Sequence, residues 1–269
     1  MSAPSQAIGI FDSGVGGLTV MRQLMRLLPQ ERFIYFGDTA RLPYGNKGRD
    51  TIVRYSIENA LYLMQKNIKL LIVACNTASA LALSELQERF TLPIIGMIEP
   101  GAEKAINTTR SQRIAILGTK GTIQSGAYQE AIYKRAPQSW IMPVACPLFV
   151  SLVEEQWLHH PASRLIVQEY LQPLHGTQID TVLLGCTHYP LLTPLIQEVL
   201  GDKVALVDPA LGCAERVARL LGERDLLSSM RDKDHEYYAS DDPEKFRVLA
   251  RSAFDHSIHQ VLYSAPSPI

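Results

Sequence analysis

The chain has 269 residues, 46% of them apolar and 20% charged, with a formal net charge of −1. This is the composition of an ordinary globular protein, long enough for one large or two small α/β domains. The near-neutral balance lacks the electrostatic footprint of a nucleic-acid or membrane-surface binder, and no apolar run reaches the roughly 18 to 20 residues of a membrane span. Met1 to Gln6 carries no basic n-region of a secretory signal. A cytoplasmic protein is therefore expected, its four cysteines (Cys75, Cys146, Cys186, Cys213) present as thiols.

In chain order, Ile8 to Phe11 reads as a strand and Asp12-Ser13-Gly14-Val15-Gly16-Gly17 as a glycine-rich loop. Leu18, Met21, Leu24, Met25 and Leu28 then recur at helical spacing up to Pro29. The loop lacks the G-x-G-x-x-G order and the lysine of a P-loop, so it reads as a tight turn that brings backbone N–H groups near an anion. A second strand, Arg32 to Phe36, runs into a polar loop, Gly37 to Gly45, rich in turn formers. Val53, Ile57, Ala60, Leu61 and Met64 mark the next helix. The apolar run Leu70 to Ala74 delivers Cys75, followed by Asn76, Thr77 and a helix over 78–90; a short strand, Leu92 to Gly96, completes the series.

The same pattern then returns. Arg113 to Leu117 is a strand, Gly118 to Thr122 a loop, and a helix passes through Tyr128, Ala131 and Ile132. When Ile10 is set against Ile116, Ser13 falls on Thr119 and Gly16 on Thr122; Ser13 precedes Cys75 by nearly the distance at which Thr119 precedes Cys186. Such constancy points to an internal duplication. The strand Trp140 to Ala145 is followed by Pro147 to Glu155, in the place held by the Tyr44 loop in the first half. Thr181 to Gly185 delivers Cys186, Thr187 and His188. A helix (Leu191 to Leu200), a strand (Val204 to Val207), a helix opened by Asp208-Pro209 (Leu211 to Leu221), an edge strand (His235 to Ser240) and a final helix from Asp241 through Phe246, Ile258 and Leu262 end the chain.

The expected fold is two similar doubly wound α/β domains with parallel-rich sheets and a site in the crevice between them. Residues 1–97 plus 209–269 would form the domain carrying Cys75, and residues 98–208 the domain carrying Cys186. The tail returns to the first domain.

Two thiols on opposite walls of one crevice suit a reaction that removes a proton from one face of a carbon and returns one to the other, because a thiolate/thiol pair supplies both base and acid. A free thiol near pKa ~8.5 needs an environment to make it a base. Asp12, His188 and Glu154 are the nearby tuners: a carboxylate beside a thiol raises its pKa or takes its proton as a relay, and an imidazolium lowers it. The sequence does not choose between these. Ser13, Tyr44, the backbone of Gly45, Asn76, Thr77, Thr119, Thr122, Thr187 and His188 offer neutral donors and acceptors for a charged small substrate.

Together the segments Asp12 to Gly17, Pro43-Tyr44-Gly45, Ala74 to Ser79, Gly118-Thr119 through Thr122 and Gly185 to Pro190 resemble the glutamate racemases of bacterial cell-wall synthesis, in the aspartate/glutamate racemase superfamily. The resemblance runs from Ile8 to the Phe246 helix. It implies cofactor-independent interconversion of L- and D-glutamate, no metal and a homodimer. Cys75 would take the α-proton of D-glutamate and Cys186 that of L-glutamate. Asp12, Ser13, Tyr44, Gly45, Asn76, Thr77, Thr187 and His188 would hold substrate, Glu154 would assist Cys186, and Thr119 and Thr122 would line the site. Two departures stand out: Pro209 where many relatives have serine, and Ser151 to Gln156 where many have Pro-Leu-Val-Glu-Glu-Gly.

Three other readings remain at this level: another two-cysteine racemase such as one for aspartate, a dithiol redox enzyme, and a non-catalytic binder of a dicarboxylic amino acid. Cys146 and Cys213 read as structural, the pairs His159/His160 and His256/His259 as exposed helix faces rather than metal ligands, and Trp140 and Trp157 as packing residues, with an interface as the second reading.

Overall fold

The computed structural model describes residues 3–254 and 258–268. Its first half runs β1 (Ala7–Asp12), α1 (Leu18–Leu27), β2 (Phe33–Gly37), α2 (Arg49–Met64), β3 (Ile68–Val73), α3 (Asn76–Arg89), β4 (Ile94–Gly96) and α4 (Ile98–Thr108). The second half runs β5 (Arg113–Gly118), α5 (Lys120–Gln124), α6 (Ala127–Arg135), β6 (Trp140–Ala145), α7 (Leu148–Glu154), α8 (Pro161–Leu171), β7 (Thr181–Gly185), α9 (Thr193–Leu200) and β8 (Ala205–Val207). A tail of α10 (Pro209–Glu223), β9 (Glu236–Ala239), α11 (Pro243–Phe254) and β10 (Leu262–Tyr263) follows.

The strands form two sheets, ordered β10-β9-β2-β1-β3-β4 and β6-β5-β7-β8, with parallel pairing throughout. Omitting the tail strands, both sheets follow one plan: the first strand of the unit lies between its second and third, and the fourth is outermost. The duplication legible in the loops is therefore a duplication of topology. β1, β3 and β7 are buried along their whole length, as parallel strands covered by helices on both faces must be, and this accounts for their unbroken apolar runs. The reversal of strand order beside β1 and β5 opens a crevice at the carboxyl ends, where Cys75 and Cys186 emerge.

α10 joins the two halves. Asp208 caps it by accepting from the Ala210 N–H at 2.9 Å, with Pro209 in its first turn. Its residues Cys213, Val217 and Leu221 are fully buried in a core that also contains Ile8, Leu24 and Phe33 from the first half and Leu117, Val182 and Tyr189 from the second. Each such side chain contributes about 1.5 to 3 kcal/mol by leaving water.

Several expectations need correction. α4, α5, α7 and α8 form where no helix was read: α4 carries Pro100 and Gly101 in its first turn, and α5 and α7 are too short for an apolar run to show a period. The final helix does not reach Leu262: among the described residues it runs to Phe254, Ile258 lies outside it, and Leu262 belongs to β10 and pairs with Tyr238. β9 is consequently not an edge strand; β10 covers it. Trp140 and Trp157 are 37% and 45% exposed rather than packed. The Arg113 guanidinium sits 4.3 Å from the Trp140 ring centroid, and the Trp157 ring stacks on His160 at 4.2 Å. His160 caps α8 and His259 is exposed, whereas His256 lies outside the described residues.

At the opposite end of the first sheet from the cysteines, the Lys69 ammonium is fully buried 2.6 Å from a Glu31 carboxylate oxygen. Its hydrogen bonds go to the carbonyls of Pro4 (2.5 Å) and Leu226 (2.7 Å), and the other Glu31 oxygen accepts from Ser228 N. The ion pair thus ties the amino-terminal segment and the loop after α10 to β3. Lys69→Met leaves the Glu31 carboxylate buried without its counter-charge and should cost about 3 to 5 kcal/mol, with Glu31→Leu in addition recovering most of it. Urea unfolding checks both; a single variant as stable as wild type would refute the tie.

Candidate active site

Cys75 lies two residues past β3 as the N-cap of α3; Cys186 directly follows β7 and precedes the turn leading to α9. Both are almost wholly buried and unbridged, and both line one narrow cleft of about 20 Å³. Ser13, Tyr44, Gly45, Asn76, Thr77, Thr119, Thr187 and His188 line the same cleft, joined by Pro43 of the Pro43-Tyr44-Gly45 motif and by Leu42 and Val150, which the sequence did not single out. Pro209 and Ser151 are not among its lining residues.

The Cys186 wall is a row of three groups. Its sulfur lies 3.9 Å from His188 Nδ1, and His188 Nε2 lies 2.6 Å from a Glu154 carboxylate oxygen. Burial alone would lower the imidazole pKa, but the sulfur and the Glu154 carboxylate outweigh it and hold the ring well above its ordinary value. Of the two adjacent candidates, Glu154 makes this contact and Glu155 is exposed.

The Cys75 wall is different. Burial, then the nearby Asp12 carboxyl, pushes the Cys75 thiol up to about 12, against the opposing help of the Ala78 N–H and the Ser13 hydroxyl. Asp12 is itself buried and its pKa raised by that burial, although His188 and the Gly14 N–H oppose the shift. One Asp12 oxygen accepts from Gly14 N at 3.0 Å and the other from the Thr187 hydroxyl at 3.3 Å, so Asp12 is tied to both walls. At Gly16 the loop has no room for a side chain: a Cβ there would lie 2.4 Å from Thr187 Oγ1 and 2.6 Å from the His188 ring.

Thr77 from the first half meets Thr119 and Thr122 from the second in a triangle of hydroxyls at 2.8, 3.2 and 3.0 Å. Thr119 also caps α5 by accepting from Thr122 N. A Cβ on Gly45 would come within 2.5 Å of the Thr119 Cβ, which explains a glycine at this crossing. The Tyr44 hydroxyl is turned away from any ligand: it donates to Asp38 and accepts from Asn59 Nδ2. Arg41 locks this cluster through Asp38 (2.7 Å), Asn59 (2.9 Å) and Glu58, and Ser240 beyond β9 donates to the second Asp38 oxygen at 3.0 Å. What Tyr44 presents to the cleft is therefore its ring and backbone. Asp38 sat within the polar loop that attracted attention; Asn59 and Ser240 carried no local signal. Among the described residues, no group of three His, Cys, Asp or Glu side chains is arranged to hold a metal ion.

Two thiols at topologically equivalent strand ends thus line one cleft. The profile of the Asp/Glu/Hydantoin racemase family matches residues 8–216, and the chain belongs to that family. Glutamate racemases from Geobacter metallireducens and Chlorobaculum tepidum are 50% and 47% identical to it, over 90% and 91% of this chain and 90% of each of theirs. Among solved structures, glutamate racemase isoform RacE1 from Bacillus anthracis superposes with a TM-score of 0.94 at 35% identity, covering 98% of both chains. Glutamate racemase from Francisella tularensis subsp. tularensis SCHU S4, in complex with D-glutamate, does so with a TM-score of 0.92 at 36% identity, over 99% of this chain and 100% of that one. The aspartate racemase of Picrophilus torridus, 17% identical at a TM-score of 0.56, shares the fold.

Proposed function

We propose that this chain is a glutamate racemase that interconverts L- and D-glutamate by two-base α-proton transfer, supplying D-glutamate for peptidoglycan. The observation that carries the reading is the placement of Cys75 and Cys186 in one cleft at equivalent ends of duplicated sheets. In one direction Cys75, as thiolate, takes the α-proton of D-glutamate; the electron pair delocalises into the α-carboxylate, and the Cys186 thiol protonates the opposite face to give L-glutamate. The reverse direction begins with the Cys186 thiolate. Atoms and charge balance within the two thiols and the substrate, so the transfer itself asks for no further group. The burial that raises Cys75 also means that substrate meets these sulfurs out of water, where fixed donors act most strongly.

In this reading Ser13, Asn76, Thr77, Thr187 and the Tyr44-Gly45 turn hold the two carboxylates and the ammonium. Asp12 serves as proton relay for Cys75, and His188 with Glu154 assists Cys186. Thr119 and Thr122 support Thr77 from the opposite half. The domains are residues 1–97 with 209–269 and residues 98–208, a division supported by strand membership in the two sheets. The protein works in the cytoplasm as a homodimer; a single monomeric species in sedimentation equilibrium at micromolar concentration would refute the dimer.

The deciding experiment incubates purified, metal-free protein with D-glutamate in D₂O, following optical rotation and α-deuterium by NMR. Racemisation with deuterium in the L product is expected. Unchanged glutamate alongside racemised aspartate would move the assignment to an aspartate racemase, and inertness toward both would overturn it in favour of a binding protein.

A further inference from the structure

Tyr128 has no place in the reaction just described, yet its position is unusually determined. It projects from α6 in the second half and is fully buried. Its ring is held between two glycines: a Cβ on Gly101 would lie 3.0 Å from its Cε1 and one on Gly185 3.1 Å from its Cε2. Gly185 immediately precedes Cys186. The hydroxyl reaches across to the first half and donates to Asn76 Oδ1 at 2.5 Å, and Asn76 immediately follows Cys75. One side chain therefore packs beside one thiol and bonds beside the other.

We infer that Tyr128 is a positioning residue that fixes the polarity of the Asn76 amide, holding its carbonyl back and its NH₂ toward the cleft as a donor to an anionic group of the substrate. A phenol has one proton to give. The other acceptor on it, the Met97 carbonyl, lies at 3.5 Å, the outer limit of a hydrogen bond, so the proton goes to Asn76. Were it given to Met97, the amide would have to flip to donate to the phenol oxygen, and its carbonyl would then face the cleft that Asn76 lines. An acceptor at that place repels a carboxylate, whereas a donor binds one. The glycine socket keeps the ring from following such a flip. The inference rests on the proposed function for the nature of the ligand, a dicarboxylic amino acid.

The test is a double-mutant cycle with Tyr128→Phe and Asn76→Ala, plus Asn76→Asp. Phenylalanine fits the same socket and loses only the hydroxyl. Tyr128→Phe should raise KM for both enantiomers about tenfold with much less change in kcat, the size expected for a hydrogen bond to a charged group that acts equally in ground and transition states. In the Asn76→Ala background the same change should add almost nothing, because it acts through that amide. Asn76→Asp keeps an acceptor for Tyr128 but puts a second oxygen in the cleft, and should raise KM at least as far. A wild-type KM in Tyr128→Phe, full multiplication of its effect with that of Asn76→Ala, or a wild-type KM in Asn76→Asp would each overturn the inference. Wild-type turnover is the control: without it the functional reading fails, and the amide is then judged on the Kd for glutamate by the same tenfold criterion.

Discussion

Cys75→Ser and Cys186→Ser should each abolish racemisation in both directions, lowering kcat/KM by about 10³-fold or more. A serine hydroxyl fills nearly the same space, so the loss is chemical. General acid–base catalysis contributes about 10² to 10⁴-fold per group when the group's pKa lies near the working pH, and a hydroxyl is far too weak an acid to alternate between base and acid there. Each direction uses one sulfur as base and the other as acid, so removing either stops both. The two variants should nevertheless differ in isotope exchange. With Cys75 replaced, Cys186 still reaches the α-proton of L-glutamate, and deuterium should enter the L isomer without inversion; with Cys186 replaced, the D isomer should exchange instead. NMR with chiral separation of the products reads both outcomes. Near wild-type racemisation in either variant would end the two-thiol mechanism.

Glu154→Gln should lower kcat/KM about 10 to 100-fold at neutral pH, the scale of losing one charge-assisted hydrogen bond next to a reacting group, and shift the alkaline limb of its pH profile toward acid. The direction follows from His188, whose pKa burial lowers but the Cys186 sulfur and Glu154 raise to well above the ordinary value. The imidazolium therefore persists through neutrality and is lost as pH rises through the raised folded value. Glutamine remains an acceptor but carries no charge, so the ring titrates earlier. The same linkage acts on stability: a group with a raised folded pKa stabilises fully below its unfolded value, about 6.5 for histidine, and that contribution fades as pH rises through the folded one. Melting temperature should accordingly begin its alkaline decline at lower pH in the variant. An unshifted alkaline limb would mean that Glu154 does not govern His188.

The parts of the site readable in the sequence are those set by local chemistry. An apolar run ending in a small residue and a cysteine announces a buried parallel strand with a thiol at its tip, and the repetition of that pattern announced the two halves. The polar loops at strand ends were visible because turn formers cluster there. Partnerships made by tertiary folding were not visible. Tyr44 looked like a donor to substrate, yet Asp38 and Asn59 occupy its hydroxyl, and Asn59 arrives from the middle of α2. Tyr128 resembled any core aromatic on a helix; only its reach to Asn76 distinguishes it. The tail was misread because periodicity continues past Phe254 in the sequence, while strand pairing with β9 claims Leu262 and Tyr263.

The unlike surroundings of the two thiols, one beside an imidazole and a carboxylate, the other beside a buried aspartic acid, invite the idea that the enzyme favours one product. Mirror-image molecules have equal free energies in water, so the specificity constants of the forward and reverse reactions must be identical whatever the side chains do. The asymmetry is confined to how each constant divides between turnover and saturation. It decides which enantiomer occupies the protein at rest, and the composition of the surrounding pool answers only to the reactions that drain it.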